Sequence, residues 1–245
     1  MLTILDNTEQ VARAAAERFA QVANEAIGSR GRFSACLSGG STPRSVYELL
    51  ASDQYRNHVD WSRTHIFFGD ERCVAADHPD SNYRMVREAF LSKVPIPNDH
   101  IYPIQGEGEP AANARSYEER LRIFFGDSEW PSFDLTFLGL GEDGHTASLF
   151  PGTSALQVDR AWVVANWVEK LQSFRITLTA PAINRSRRIV FLVTGSKKAA
   201  PLASVREGPR DPEHLPAQLI QPVDGSLEWL VDKDAAADLN SNAQP

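Results

Sequence analysis

Four short, mostly apolar runs in this chain each break at a turn built on glycine. Phe33–Leu37 breaks into Ser38-Gly39-Gly40-Ser41-Thr42-Pro43, and His65–Phe68 into Gly69-Asp70-Glu71-Arg72. Leu135–Leu138 breaks into Gly139-Leu140-Gly141-Glu142-Asp143-Gly144-His145, and Arg188–Val193 into Thr194-Gly195-Ser196-Lys197-Lys198. Runs this short and unbroken fit strands buried on both faces, as in a parallel sheet. Helical patterns lie between them. Over residues 8–28, Val11, Ala15, Phe19, Val22 and Ala26 recur at three- and four-residue spacing until Gly28 and Gly31. Further helices are predicted after Pro43, after a cap at Asp80 or Ser81, over 110–125, from near Lys197 and, briefly, over Leu215–Ile220. Trp162–Val168, Phe174–Leu178 and Leu227–Val231 read as additional strands. Strands alternating with helices predict an α/β fold: a mostly parallel sheet covered on both faces. With no repeat and no break in composition, one domain is expected over residues 1–237. The polar stretch 238–245 is expected to be a frayed tail.

Composition narrows the function. The 32 acidic against 25 basic residues give a formal charge of −7, which disfavours a nucleic-acid platform but not a small anion held by local cations. Cys36 and Cys73 are isolated, without ligand spacing for zinc or a disulfide framework. The N-terminus lacks a secretory pattern and no apolar run approaches the ~20 residues of a membrane span. A soluble, cytoplasmic protein is expected.

In such a sheet, ligands bind beyond the carboxyl ends of the strands, so the glycine turns are the places to look for chemistry. The pattern Gly139-x-Gly141-x-x-Gly144 matches a dinucleotide fingerprint literally, but Glu142 and Asp143 would repel a pyrophosphate and no long helix follows before Pro151. No nucleotide, metal or other cofactor is expected. The loop Ser38-Gly39-Gly40-Ser41-Thr42, with Pro43 at a first helical position, can aim amides and hydroxyls at an anion. Lys197 and Lys198 sit at a predicted helix start, where cations are unfavourable unless they meet an anion. Arg84 is a weaker candidate for the same anion. Arg72 is a candidate cation for developing negative charge, with Asp70 as an orienting carboxylate. Of six histidines only His145 stands in a glycine-framed turn, two residues from Asp143, the arrangement of a general base. His58, His65, His78, His100 and His214 read as surface or packing residues.

Together these segments resemble the 6-phosphogluconolactonase family. The matching pieces are Leu37–Pro43, Phe68–Arg72, Asp80–Tyr83, Gly139–Pro151, Thr194–Ala199 and Leu215–Gln218, in family order, with Trp229, Asp232 and Ala235-Ala236 as a further likeness. The resemblance implies a three-layer α/β/α domain with a Rossmann-like sheet, shared with glucosamine-6-phosphate deaminase. Two departures separate the chain from the deaminase: Arg72 where that enzyme has tyrosine, and Leu149-Phe150 where it carries a glutamate beyond the histidine. A non-catalytic sugar-phosphate sensor is the alternative from another class.

The activity so implied is hydrolysis of 6-phospho-D-glucono-1,5-lactone to 6-phospho-D-gluconate, in the oxidative branch of the pentose phosphate pathway. His145 would activate water and Arg72 would stabilise the oxyanion, with Asp70 or Asp143 orienting the base. Ser38, Gly39, Gly40, Ser41 and Thr42 would hold the phosphate with Lys198 and Arg84. A covalent route through Ser148 or Ser41 is not required. The expected partner is the small sugar-phosphate lactone alone, the expected state a monomer or weak homodimer.

Overall fold

The computed structural model describes residues 1–240. The elements in chain order are β1 (Leu2–Leu5), α1 (Thr8–Arg30), β2 (Phe33–Leu37), α2 (Ser41–Leu50), β3 (Thr64–Phe68), β4 (Asp70–Arg72), α3 (Asn82–Ala89) and β5 (Ile101–Tyr102). They continue with α4 (Pro110–Phe125), β6 (Leu135–Leu138), β7 (Val163–Val168), β8 (Ser173–Leu178), α5 (Ala180–Ile183), β9 (Arg188–Val193), α6 (Ala199–Glu207) and β10 (Ser226–Asp232). Seven strands form one parallel sheet in the order β1-β10-β9-β6-β2-β3-β5. Three form a second, antiparallel sheet, β4-β8-β7.

Alternation along the strands sorts the core into two layers. Phe33 and Phe137 point to one face, where Phe19 of α1 meets them at 5.0 and 6.3 Å between ring centroids, with Phe90 beyond α3 at 6.3 Å. Phe67 points to the other face and packs on Phe124 of α4 at 4.9 Å. Phe191 and Trp229, register partners on β9 and β10, stack at 3.9 Å, and Arg206 of α6 lies over that indole. Helices therefore cover both faces, giving the three-layer α/β/α arrangement. Strands fully covered in this way have no room for a polar stripe, which is why β2 is buried at every position.

Three sequence expectations need correction. Trp162–Val168 and Phe174–Leu178 are strands, but they pair with each other and with β4 in the second sheet. Asp70-Glu71-Arg72, read as a turn, is itself a strand of that sheet. The two sheets meet at Gly69, whose N–H donates to Leu37 O at 2.9 Å while its carbonyl accepts from Leu178 N at 2.8 Å. Finally, the start of the tail expected at 238–245 is tied down. Leu239 packs against the core and Asn240 Nδ2 donates to Glu207 at 2.7 Å; 241–245 lie outside the described residues. Among the described residues, no helix is long and apolar enough to cross a membrane, and no cluster of His, Cys, Asp or Glu has metal-binding geometry.

Strand order reverses between β2 and β6. From β2 the chain moves outward through β3 to β5; from β6 it moves the other way, through β9 and β10. A crevice must open beyond the carboxyl ends at such a reversal, and the turns after β2 and β6 both stand there.

Candidate active site

A cavity of about 240 Å³ opens at this reversal, lined by Ser38–Pro43, Asp70, Arg72, Asn82, Gly139–Gly141, His145–Ala147, Leu192–Thr194 and Lys198. The first wall is the turn after β2. Gly40 takes φ of 109°, a conformation open to glycine, and starts α2 without any side-chain cap. The first amides of α2 are therefore left for an external acceptor, at the positive end of the helix dipole. Ser38 Oγ is buried and, among the described residues, has no hydrogen-bond partner, so it is free to donate to or accept from a bound group. Thr42 Oγ1 bonds Thr194 Oγ1 at 2.7 Å, coupling this turn to the end of β9. Lys198 lines the cavity from beyond β9, whereas Lys197 is exposed and outside it.

The second wall is the turn after β6. It closes on itself through Gly141 N to His145 O at 2.8 Å and Thr146 Oγ1 to Gly139 O at 2.8 Å. Within it, Nδ1 of His145 bonds the Asp143 carboxylate, which selects the tautomer that leaves Nε2 as the acceptor. The imidazole stacks on Phe150, centroids 4.1 Å apart. Gly141 makes room for the ring, since a Cβ there would lie 2.0 Å from His145 Nδ1 and 2.7 Å from Asp143 Oδ1. Burial pushes the Asp143 carboxyl up, but hydrogen bonds from His145 and Lys170 outweigh it and hold the group well below the usual carboxylate range. Ala147, which lines the cavity, sits at φ 47°, left-handed backbone that costs a non-glycine residue roughly 1 kcal/mol or more.

The third wall is β4. Arg72 lines the cavity, its guanidinium steadied by donation to Asp80 O. Asp70 is buried beside it but reaches neither His145 nor the Arg72 guanidinium: Oδ2 accepts from Ser148 Oγ at 2.6 Å, and the Asp70 carbonyl accepts from Asn82 Nδ2 at 3.0 Å. The carboxylate on the imidazole is Asp143. Ser148 is buried, gives its hydroxyl to Asp70 and does not line the cavity, so it is not placed to attack a bound substrate. Arg84 is not part of the cavity; its Nε donates to Glu88 at 2.7 Å and its Nη1 to Asp77 O at 2.7 Å.

Several positioning groups have roles that the linear sequence does not reveal. Glu71 is buried and gathers the amides of Arg72, Asn82 and Tyr83 at 2.8 Å each, with Ser81 Oγ at 3.1 Å, so it docks the start of α3 onto β4. Burial pushes its carboxyl up and those three amides pull it back. Asn82 fills the space over Gly39, where a Cβ would lie 1.8 Å from its Oδ1. Asp232 accepts from Gly195 N at 2.9 Å and pins the turn that carries Lys198. Leu215 packs against Gly144, and Ala217 N donates to Gly144 O at 2.9 Å. Their one trace is indirect: Glu71, Asn82, Leu215 and Asp232 all fall inside the motif segments.

Residues 6–229 match the family described as glucosamine-6-phosphate isomerases/6-phosphogluconolactonase. The chain is 46% identical over 219 residues to the 6-phosphogluconolactonase of Synechocystis, an alignment covering 88% of each. The structure of 6-phosphogluconolactonase from Trypanosoma cruzi superposes with a TM-score of 0.86 at 27% identity, covering 98% of this chain and 96% of that one. A monomeric glucosamine-6-phosphate deaminase superposes with a TM-score of 0.82 over 97% of this chain and 99% of its own, and at 21% identity that likeness speaks for the fold alone. With the glycine turns, the crevice and the family match coinciding over most of its length, the chain belongs to the glucosamine-6-phosphate isomerase/6-phosphogluconolactonase family.

Proposed function

We propose that this protein hydrolyses 6-phospho-D-glucono-1,5-lactone to 6-phospho-D-gluconate, with His145 activating the attacking water. The observation that carries the reading is one cavity with two ends. An uncapped helix start with Ser38 Oγ and Lys198 suits a phosphate, and an imidazole with Nδ1 held by Asp143 suits a base. A phosphate seated in the first end would bring the lactone carbonyl toward the second, where Nε2 takes a proton from water as it attacks C1. Arg72 would meet the negative charge growing on the carbonyl oxygen. The imidazolium then returns its proton to the ring oxygen as the C–O bond opens, leaving the free carboxylate. Base catalysis and oxyanion stabilisation, each worth about 10²–10³-fold, account for useful acceleration of an already labile ester.

Deamination is less well supported, because the positions beyond His145 hold Leu149 and Phe150, both buried, and no carboxylate to complete ring opening. The enzyme would act in the cytoplasm as a monomer or weak homodimer, a state that sedimentation velocity reads directly. The decisive assay follows acid release from freshly prepared lactone in a pH-stat, with spontaneous opening subtracted. His145→Ala should lose most of the catalysed rate and still bind 6-phosphogluconate. Wild-type turnover in that variant would remove histidine from the mechanism.

A further inference from the structure

The tip of the hairpin joining β7 to β8 reaches back to the imidazole. It is a single turn, Glu169–Leu171, held in shape by Trp167 Nε1 donating to Glu169 Oε2 at 2.7 Å and Gln172 Nε2 donating to Glu169 O at 2.9 Å. Lys170 extends from this turn. Its Nζ donates to Asp143 Oδ2 and lies 5.2 Å from the centroid of the Phe150 ring. Asp143 Oδ1 is the atom on His145 Nδ1, and Phe150 is the ring stacked on the imidazole. Lys170 thus touches both groups that frame His145, while standing outside the cavity that would hold the phosphate.

A lone carboxylate on a catalytic imidazole has two opposed effects. It fixes the ring and tautomer, but its charge also favours the imidazolium, which is useless as a base. A cation on the second oxygen of the same carboxylate keeps the first effect and offsets the second. The other charged groups around His145 are Glu142 on its own turn, Asp70 and Arg72 on β4, and Lys198 beyond β9. Among the described residues, none of these bonds Asp143.

We propose that Lys170, delivered by the second sheet, is a positioning residue for the base: it locks Asp143 against the imidazole and offsets the charge the carboxylate places beside the ring. This rests on His145 acting as the base.

The test is the pH dependence of kcat/KM for Lys170→Met, with Lys170→Arg and Lys197→Met alongside. Loss of an exposed charge one residue removed from the imidazole should move the acidic limb of Lys170→Met upward by about half a pH unit. Its kcat at neutral pH should fall by about 3- to 10-fold as Asp143 loosens, with KM within about twofold because the phosphate end is untouched. Arginine should restore the wild-type limb, and Lys197→Met should never lose it. A Lys170→Met profile that superposes on wild type overturns the proposal, as does a rate loss without displacement of the limb, which would mean simple structural support. An inactive His145→Ala beside a wild-type-like Lys170→Met would sink Lys170's part alone. An active His145→Ala would sink the base itself.

Discussion

Gly141→Ala tests the geometry of the proposed base directly. Gly141 lies outside the left-handed region, so alanine strains no backbone, and the whole effect is one methyl group facing the imidazole. That methyl would sit 2.0 Å from His145 Nδ1 and 2.3 Å from Cε1, against about 3.4 Å for ordinary contact. The ring must therefore shift by about 1.4 Å, yet Phe150 is stacked 4.1 Å from it and Asp143 holds the very nitrogen that is struck. A displacement near 1 Å at a reacting group costs about 10²-fold in rate, or about 2.7 kcal/mol of transition-state stabilisation. Overpacking should cost about 1–3 kcal/mol of folding stability, well short of unfolding a typical domain. The measurements are kcat and KM by pH-stat on fresh lactone, with urea denaturation of the same preparation. The expected result is a fall in kcat larger than any change in KM, in a folded protein. Gly28→Ala, exposed in α1 with no atom within 4 Å of the added Cβ, is the control; it should keep full activity and gain about 0.5 kcal/mol. A stable Gly141→Ala enzyme with wild-type kcat would refute the assignment of His145 to the chemistry.

Two further outcomes are expected. Lys198→Ala should raise KM more than it lowers kcat if Lys198 is the proposed phosphate counter-charge, which would bind ground and transition states alike; a loss confined to kcat would move Lys198 into the chemistry. Acid should weaken the fold partly through His65, which burial, then the His100 and Arg32 charges, push down from 6.5 to about 4. Because the unfolded chain takes up that proton first, this contribution is complete above pH 6.5, declines as pH falls toward 4 and is flat below it. His65→Phe should accordingly show a shallower loss of urea stability between pH 6.5 and 4, and an unchanged slope would acquit His65.

Much of the candidate site is legible in the sequence because its parts are local. A buried strand must be apolar, a turn beyond it needs glycine where the backbone bends or where another group approaches, and both leave marks within six or seven consecutive residues. The turn after β2, the turn after β6 and the pair Asp143–His145 are all of this kind. Arg84 falls outside the cavity for the converse reason: its side chain has a nearer carboxylate four residues along its own helix, Glu88. Asp70 could be recognised as a buried acid near the site but not as the partner of Ser148, 78 residues away.

What the amino-acid order by itself determined is the alternation of strand and helix, the four glycine-ended turns and the imidazole set on one of them, since these follow from side-chain size, polarity and backbone freedom over short spans. Tertiary structure alone decided that Asp70–Arg72 leaves the parallel sheet to seed a second one, that Asp143 rather than Asp70 meets His145, and that Lys170 arrives from 27 residues away to hold that carboxylate. The physical reason is that a charged side chain is satisfied by whichever partner packing brings within about 3 Å, and that choice is made by sheet register and layer stacking, which no local pattern encodes.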